Sequence, residues 1–140
     1  LVVFVEINGF RVYTLFDSGS TTDSVSPQTT GIAKVLYFTL ENPVTLQLGC
    51  VGSCLQINYG ADIVVGFTGK AANTYVDIVN MDHYDTILGA WFMHKYGICL
   101  DFKTKSIIMD ERACPTLMVG EETMVVNARC GPPRPKKAAK

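Results

Sequence analysis

Residues 15–22 read Leu-Phe-Asp-Ser-Gly-Ser-Thr-Thr and place one acidic residue, Asp17, between an apolar run and a Ser-Gly pair. The segment from Val12 to Phe16 is rich in β-branched and aromatic residues, which predicts a strand. Gly19 allows the chain to turn back sharply beside the acid. A carboxylate at the mouth of a buried strand is costly unless hydrogen bonds satisfy it, and the flanking serines and turn amides are the nearest donors.

The triplet Asp-Ser-Gly alone is ordinary turn chemistry, because all three residue types are common in turns. A phosphorylation-dependent degradation signal of the form DSGxxS is a second alternative, but Thr22 stands where that signal needs serine. Such a signal also needs a disordered, polar setting, which the apolar run before Asp17 does not provide. A second segment lies far downstream, Tyr84-Asp85-Thr86-Ile87-Leu88-Gly89. Neither segment is specific alone, but the occurrence of both in one chain favours a catalytic interpretation.

The paired motifs resemble those of the retropepsin-like aspartic proteases, in the version carried by gypsy-class long-terminal-repeat retrotransposons. The resemblance extends from Phe4 to Met109. Its carriers are the DSGS turn at Leu15 to Ser20, the triplet Ile87-Leu88-Gly89, and a closing strand at Gly97-Ile98-Cys99-Leu100-Asp101-Phe102. It implies an all-β fold, a retropepsin-like acid protease barrel with a flap hairpin and one short C-terminal helix.

The resemblance also implies roles for individual residues. Asp17 would be catalytic, Ser18 would hydrogen-bond across a dimer axis, Gly19 would permit close approach, and Ser20 would bond the outer carboxylate oxygen. The structural motif Ile87, Leu88 and Gly89 would form a strand that crosses behind the catalytic turn. The flap over the substrate would have its tip at Cys50, Val51, Gly52 and Ser53, although locally an ordinary glycine-punctuated loop explains these residues equally well.

Peptide hydrolysis of this type requires two close carboxylates that share a proton, one to activate water and one to protonate the carbonyl oxygen. The chain offers one qualifying acid, Asp17, because Asp85-Thr86-Ile87 lacks the glycine of a second such turn, so Asp85 is expected to have a structural or surface role. A twofold homodimer would supply the second carboxylate. We therefore expect an aspartic endopeptidase that processes a retroelement polyprotein without metal or cofactor. The alternative is a noncatalytic dimeric domain that keeps this fold for peptide binding.

A length of 140 residues suits one domain rather than the two lobes of a pepsin-type enzyme. We predict a protease domain at residues 1–110 and, at 111–140, a C-terminal extension that ends in a Pro- and Lys-rich linker. The strand pattern fades after Met109, and one further strand is predicted at Thr123 to Val126. A start at Leu1 with no signal segment indicates a piece excised from a longer polypeptide.

The composition, with 48% hydrophobic and 18% charged residues, is typical of a globular protein. A net charge of −1 gives no reason to expect specific nucleic-acid or membrane binding, and no apolar run approaches a transmembrane span. The basic tail at 131–137 could touch nucleic acid nonspecifically, although a flexible linker is favoured. We expect an intracellular, cytoplasmic protein, with virus-like particles as one place of action.

Five cysteines at irregular spacing do not form the pattern of a disulfide framework. Cys50 and Cys54 could pair or bind zinc, but neither histidine has a ligand-like spacing to them. Free thiols in a reducing compartment are therefore favoured.

Local signals predict the order of the strands. Asn8-Gly9 between two β-rich runs predicts a hairpin, whereas the polar segment Ser24 to Gly31 predicts a loop or a short helical turn. Asn42-Pro43 is expected to break a strand, and separate strands are expected at Leu55 to Tyr59 and Gly60 to Phe67.

The chain departs from relatives in two places. Thr21 and Thr22 replace the acids that follow the active turn in retroviral enzymes, and Ala90-Trp91-Phe92 replaces charged residues near the interface. The dimer is therefore expected to rest on apolar contacts and strand pairing. Trp91 itself is expected in the core, in a short helix that ends at Gly97.

Overall fold

The computed structural model describes residues 1–47, 54–81 and 83–117. Within these ranges the chain is mostly β, with ten strands and two short helices. The strands are β1 (Val2–Ile7), β2 (Phe10–Phe16), β3 (Ser24–Val25), β4 (Tyr37–Gln47), β5 (Cys54–Phe67), β6 (Lys70–Ile78), β7 (Thr86–Leu88), β8 (Cys99–Asp101), β9 (Ser106–Met109) and β10 (Arg112–Pro115); the helices are α1 (Pro27–Ile32) and α2 (Ala90–Lys95). Neither of these helices is long and apolar enough to cross a membrane.

Six strands close into a barrel. The main sheet has the order β1-β2-β7-β3-β6-β5-β4, and a further pairing of β1 with β5, through Glu6 and Ile7, joins the sheet into a ring. Strand β4 lies outside this ring on β5, while β8, β9 and β10 form a separate antiparallel sheet. Closure of a small barrel removes most exposed strand edges. The all-β prediction is confirmed.

Two-residue turns set the register of the hairpins. Asn8 (φ 50°) and Gly9 (φ 85°) connect β1 to β2, as the Asn-Gly pair predicts. Thr68 (φ 50°) and Gly69 (φ 78°) connect β5 to β6 in the same way. A third turn at residues 110–111 also has positive φ, although both residues are acidic. It produces β10 in a region where the sequence showed no strand pattern.

The chain beyond residue 110 is attached to the barrel as far as it is described. The backbone amide of Leu117 donates to the carbonyl oxygen of Val2 at 2.9 Å. The amide of Thr116 donates to the carbonyl oxygen of Lys105 at 2.9 Å. The predicted strand at 123–126 and the Pro- and Lys-rich linker fall outside the described residues.

Two predicted strand breaks are wrong. Asn42-Pro43 lies inside β4, where the pairing with β5 shifts register between Thr39 and Val44. Because β4 is at the edge of the sheet, the missing amide hydrogen of a proline costs little there. The second predicted break, at Gly60, lies inside β5, where Gly60 pairs with Asp77 on β6. The Tyr75 side chain lies so close to Gly60 that a Cβ there would meet the tyrosine ring.

The β4–β5 hairpin is the pair of strands whose tip the sequence assigned to the flap. The predicted tip residues, Cys50, Val51, Gly52 and Ser53, fall outside the described residues. The described part of the hairpin shows that long strands run toward that tip from both sides.

Aromatic rings fill the core beneath the end of β2. Phe16 is 1% exposed, and its ring centroid lies 5.5 Å from that of Phe67 on β5 and 6.5 Å from that of Phe92 on α2. Leu88 on β7 is fully buried in the same cluster. Side chains of this size dominate core energetics, so this cluster fixes β2 and α2 against each other.

Helix α2 contradicts one prediction about its packing face. Phe92 and Met93 are buried, whereas Trp91, which was expected in the core, is 70% exposed. A short helix can bury only one side. On α2 this side carries Phe92, whose ring lies 5.0 Å from that of Tyr96. Trp91 therefore faces outward.

The structure describes two cysteine side chains, those of Cys99 and Cys114. Cys99 is exposed, and both it and Cys114 are free. Burial raises the pKa of the Cys114 thiol. Cys50 and Cys130 fall outside the described residues.

Candidate active site at the end of strand β2

Asp17 directly follows the last residue of β2 and is half-buried. The backbone amide of Gly19 donates to Oδ1 of Asp17 at 2.9 Å, and the amide of Ser20 donates to the Asp17 carbonyl oxygen at 3.1 Å. Together the two bonds fold the segment into a tight turn, called the active turn below (residues 17–20). Ser18 and Gly19 are exposed, so this turn presents its carboxylate at the surface end of the strand.

The junction between β7 and α2 holds the active turn from below. Each of its three consecutive residues makes one bond to the segment 17–23. The bonds are Asp17 N to Leu88 O (3.0 Å), Gly89 N to Asp23 Oδ1 (2.7 Å) and Ala90 N to Ser20 O (2.9 Å). The structure thus brings the two sequence motifs together, with Ile87 paired to Leu15 in the parallel register of β2 and β7.

Gly89 is required by the closeness of this contact. A Cβ at this position would lie 2.5 Å from the carbonyl oxygen of Ser20 and 2.8 Å from that of Thr22. Both atoms belong to the backbone, so they cannot swing away as the end of a flexible side chain can. The glycine of the Ile-Leu-Gly motif therefore allows the active turn to rest directly on the junction.

Ser20 has a different partner from the one expected. Its hydroxyl donates to the carbonyl oxygen of Thr22 at 2.8 Å and accepts from the Thr22 amide at 3.4 Å. A serine hydroxyl has one hydrogen to donate, so in this arrangement it does not donate to Asp17. Ser20 stabilises the loop that follows the active turn.

Asp23 is the site residue that sequence reasoning missed. It is 6% exposed, and burial raises its pKa above the ordinary carboxyl value; the nearby charge of Asp77 also raises it, while the amides of Gly89 and Phe92 lower it. In the sequence, Asp23 lies in a polar run that is typical of a surface turn. Asp23 differs from a surface-turn residue only in that the buried two-residue strand β3 follows it. A strand of two residues is too short to show a hydrophobic alternation in the sequence.

A second buried acid lies beside Asp23 on β6. Asp77 is 7% exposed, its amide donates to the Asp23 carbonyl oxygen at 2.9 Å, and its Oδ1 accepts from the Tyr75 hydroxyl at 2.9 Å. Burial, together with the hydrogen bond to Asp77, raises the pKa of Tyr75 to about 12. These contacts connect the loop after the active turn with strand β6.

Of the two roles expected for Asp85, structural or surface, its hydrogen bonds support the structural one. Its Oδ2 accepts from the Tyr13 amide at 2.8 Å, and its carbonyl oxygen accepts from the Ser26 amide at 2.8 Å. His83 and His94 are both exposed. We therefore assign none of these three side chains to the site.

Two surface grooves adjoin the active turn. A groove of about 520 Å³ begins at Ser18 and is lined mainly by apolar side chains, among them Met93, Ile98 and Phe102. A second groove of about 370 Å³ lies beside Thr21 and contains Asp23, Asp77 and Trp91 in its lining. The first is suited to apolar contact and the second to polar groups.

Neither a protein-family model nor a curated protein matches the chain. Among solved structures, the retroviral protease-like domain of Ddi1 from Leishmania major aligns with a TM-score of 0.63 and 14% identity, over 86% of this chain and 96% of that chain. The EIAV protease complexed with the inhibitor HBY-793 aligns with a TM-score of 0.52 and 18% identity, over 73% of this chain and 92% of that one. At such identities the likeness concerns the fold alone. The chain therefore has the fold of the retropepsin-like proteases.

Proposed function

We propose that the chain is an aspartic endopeptidase that acts as a homodimer, with Asp17 of each copy forming the catalytic pair. The observation that carries the proposal is the half-buried Asp17 carboxylate, held by the Gly19 amide at the end of β2 in a retropepsin-like fold. The proposed substrate is the polyprotein of a gypsy-class retroelement, the class that the DSGS and Ile-Leu-Gly motifs resemble.

The second carboxylate is proposed to come from a second copy, because the described acids beside the two motifs have other hydrogen-bond partners. Asp23 holds the Gly89 amide, and Asp85 holds the Tyr13 amide. An acid dyad needs two carboxylates close enough to share a proton. Twofold symmetry places identical residues against each other across the axis and so provides the pair with no further sequence.

The apolar groove beside Ser18 supports dimerisation. A second copy that brings its Asp17 next to this one must cover Ser18, where the groove begins. Phe102 in the same groove is 66% exposed in the single chain, and the adjoining helix α2 begins with uncharged Ala90. Covering the exposed Phe102 ring would remove apolar surface from water, which favours association. The second copy is therefore the occupant that we propose.

In the dimer, one carboxylate would be protonated and the other ionised, because two adjacent like charges disfavour double ionisation. The ionised carboxylate removes a proton from a water molecule while the oxygen of that water attacks the carbonyl carbon of the peptide. The other carboxylate donates its proton to the carbonyl oxygen, and the tetrahedral diol forms. The carboxyl group that took the water proton donates it to the amine nitrogen as the C–N bond breaks, and the other carboxylate takes a proton from a hydroxyl of the diol, which becomes the new carboxyl group and leaves the pair as it began. The Gly19 amide keeps Oδ1 of Asp17 oriented throughout.

The β4–β5 hairpin is proposed to close over the bound peptide as the flap, with its tip at Cys50, Val51, Gly52 and Ser53. Closure of such a hairpin would exclude water other than the attacking molecule. The second candidate function is a noncatalytic dimer that binds peptides with the same fold. The retention of Asp17, Ser18 and Gly19 together favours the enzyme.

The test is turnover of a peptide library by the purified chain. Asp17→Asn should lower turnover by at least about 100-fold, since the amide cannot exchange the catalytic proton. It should not unfold the domain, because asparagine Oδ1 still accepts from Gly19. Asp62→Asn, which removes an exposed acid on β5, is the matched control and should retain wild-type turnover. Equal turnover by Asp17→Asn and the wild type would refute the assignment, and binding without cleavage would favour the second candidate.

A further inference from the structure

Asp23 makes the only side-chain bond among the three that join segment 17–23 to the β7–α2 junction. The bonds of Asp17 to Leu88 and of Ala90 to Ser20 link backbone to backbone, whereas Gly89 N donates to a carboxylate. At 2.7 Å it is also the shortest of the three. A hydrogen bond from an amide to a charged acceptor is about twice as strong as one between neutral groups.

The carboxylate acts at the point of closest contact. The backbone of residues 20–22 rests on Gly89, where even one added carbon would lie 2.5 Å from Ser20 O. The bond from the Gly89 amide to Asp23 therefore holds this loop close to the junction, together with the bond from Ala90 N to Ser20 O. Ser20 N is bonded in turn to Asp17 O, so a displacement of the loop is passed directly to the active turn.

Asp23 is itself held rigidly. Its carbonyl oxygen accepts from the Asp77 amide at 2.9 Å, and its side chain is 6% exposed. The groups that face it are the Asp77 carboxylate from β6, the Gly89 amide from the β7–α2 junction and the Phe92 amide from α2. Lys95 lines the same groove, but its ammonium group contacts the Asn73 carbonyl oxygen at 3.5 Å. Among the described residues, Asp23 thus has amides as partners and no ion pair.

We infer that Asp23 is a positioning residue, which fixes the location of the Asp17 carboxylate by holding the Gly89 amide against the active turn. The inference rests on the proposed function, since it assigns a second residue to the same site. The Asp23 carboxylate accepts from the Gly89 amide, whereas the Asp17 carboxylate accepts from the Gly19 amide. Asp23 acts through Gly89 and through the loop that Gly89 supports.

Three variants separate positioning from simple structural support. Asp23→Asn keeps an oxygen that can accept from the Gly89 amide, whereas Asp23→Ala removes the acceptor. Asp23→Ser withdraws the acceptor by shortening the side chain and serves if the alanine variant does not fold. We expect kcat to fall about 10- to 100-fold in the alanine or serine variant, with a much smaller change in KM, because misplacement affects the transition state most. Asp23→Asn should restore most of kcat.

The decisive readout does not require turnover. The Gly19 amide, which is bonded to Asp17 Oδ1, reports the geometry of the active turn by its NMR chemical shift and hydrogen-exchange rate. In Asp23→Ala or Asp23→Ser, the resonances of both Gly89 and Gly19 should move and both amides should exchange faster. In Asp23→Asn, Gly19 should stay at its wild-type position.

If the Gly89 resonance moves while Gly19 remains unchanged, Asp23 merely caps helix α2 and the inference is overturned. A fall in kcat that active-site titration traces to misfolded protein would overturn it as well. If the wild type cleaves no peptide, the proposed function fails, and the Gly19 measurement still decides the positioning role on its own.

Discussion

The backbone amide of Asp17 donates a hydrogen bond to the carbonyl oxygen of Leu88 at 3.0 Å. This bond joins the first strand end of the candidate site to the Ile-Leu-Gly motif, which lies far away in the sequence. The parallel pairing of β2 with β7, which sets Phe16 opposite Leu88, makes the bond possible. Changes at the β7–α2 junction should therefore be felt at the active turn.

Gly89→Ala should be strongly destabilising, because its Cβ would press on two backbone carbonyl oxygens. We expect a loss of about 1–3 kcal/mol in the free energy of unfolding, as for other overpacked sites, together with loss of turnover. The control is Gly31→Ala in α1, where a Cβ would meet nothing within 4 Å. That change should be neutral or stabilising by up to about 1 kcal/mol. The urea concentrations at the unfolding midpoint compare the two variants, provided that the dependence of the free energy of unfolding on urea concentration is unchanged. Equal losses of stability in the two variants would show that the close contact at Gly89 is absent.

The outward position of Trp91 can be tested against its neighbour. Phe92→Ala should cost about 3–5 kcal/mol, because it empties part of the aromatic core, whereas Trp91→Ala should stay within about 0.5 kcal/mol. Trp91 is the single tryptophan in the chain, so its fluorescence reports one site. Under conditions where the protein is monomeric, the emission should be that of a solvated indole and acrylamide should quench it efficiently. A blue-shifted, protected indole in the monomer would contradict the exposed position.

Asp23 should make stability depend on pH in a specified direction. Burial raises its pKa above the ordinary 3.8, so between the two values the folded state holds the proton more tightly than the unfolded chain does. Stability therefore falls as pH rises through that window. The stability of Asp23→Asn relative to the wild type should be lowest below about pH 3.8, rise with pH, and level off above the raised pKa.

Asp77→Asn is the companion variant for this measurement, since the Asp77 charge contributes to the raised pKa of Asp23. Removing the Asp77 charge should narrow the pH range over which stability falls without abolishing it, because burial contributes more than Asp77 to the raised pKa of Asp23. Urea unfolding at a series of pH values measures both variants. A pH-independent difference between Asp23→Asn and the wild type would contradict the environment described for this carboxyl group.

Tyr75→Phe should destabilise the domain by about 1 kcal/mol, because it removes the donor to a buried carboxylate oxygen of Asp77. Tyr59→Phe is the matched control, since both tyrosines are 43% exposed and Tyr59 makes no such hydrogen bond among the described residues. Thermal unfolding of the two variants side by side gives the comparison. Equal midpoints would show that the bond to Asp77 contributes nothing measurable.

Much of the fold could be predicted from the sequence, because several of its turns have residue pairs that are characteristic of hairpins. Asn8-Gly9 specifies its hairpin through φ values that these two residues adopt readily. The turn at residues 110–111 could not be predicted in this way, because a positive φ is uncommon for a residue such as Glu111. The break predicted at Gly60 was wrong, because the feature beside this glycine, the Tyr75 ring, comes from another strand and leaves no local signal.

The candidate site shows the same division. Asp17 and Gly19 belong to a short motif, so a sequence alone suggests their contact. Asp23 and Ser20 depend on the location of neighbouring strands, and no local pattern distinguishes a buried acid from an exposed turn residue. Trp91 was misplaced because a six-residue helix is too short for its apolar periodicity to identify the buried face.

The central claim is that each active site contains Asp17 from two chains, and subunit mixing tests it most directly. Wild-type protein is kept at a fixed concentration at which light scattering shows a dimer, and inactive Asp17→Asn chains are added and allowed to exchange. Random pairing should reduce activity to about one half at an equal amount of variant and to about one fifth at a fourfold excess. Addition of an unrelated protein is the control and should change nothing. Activity that stays constant at every ratio, from a species whose mass is that of one chain, would contradict the shared catalytic pair.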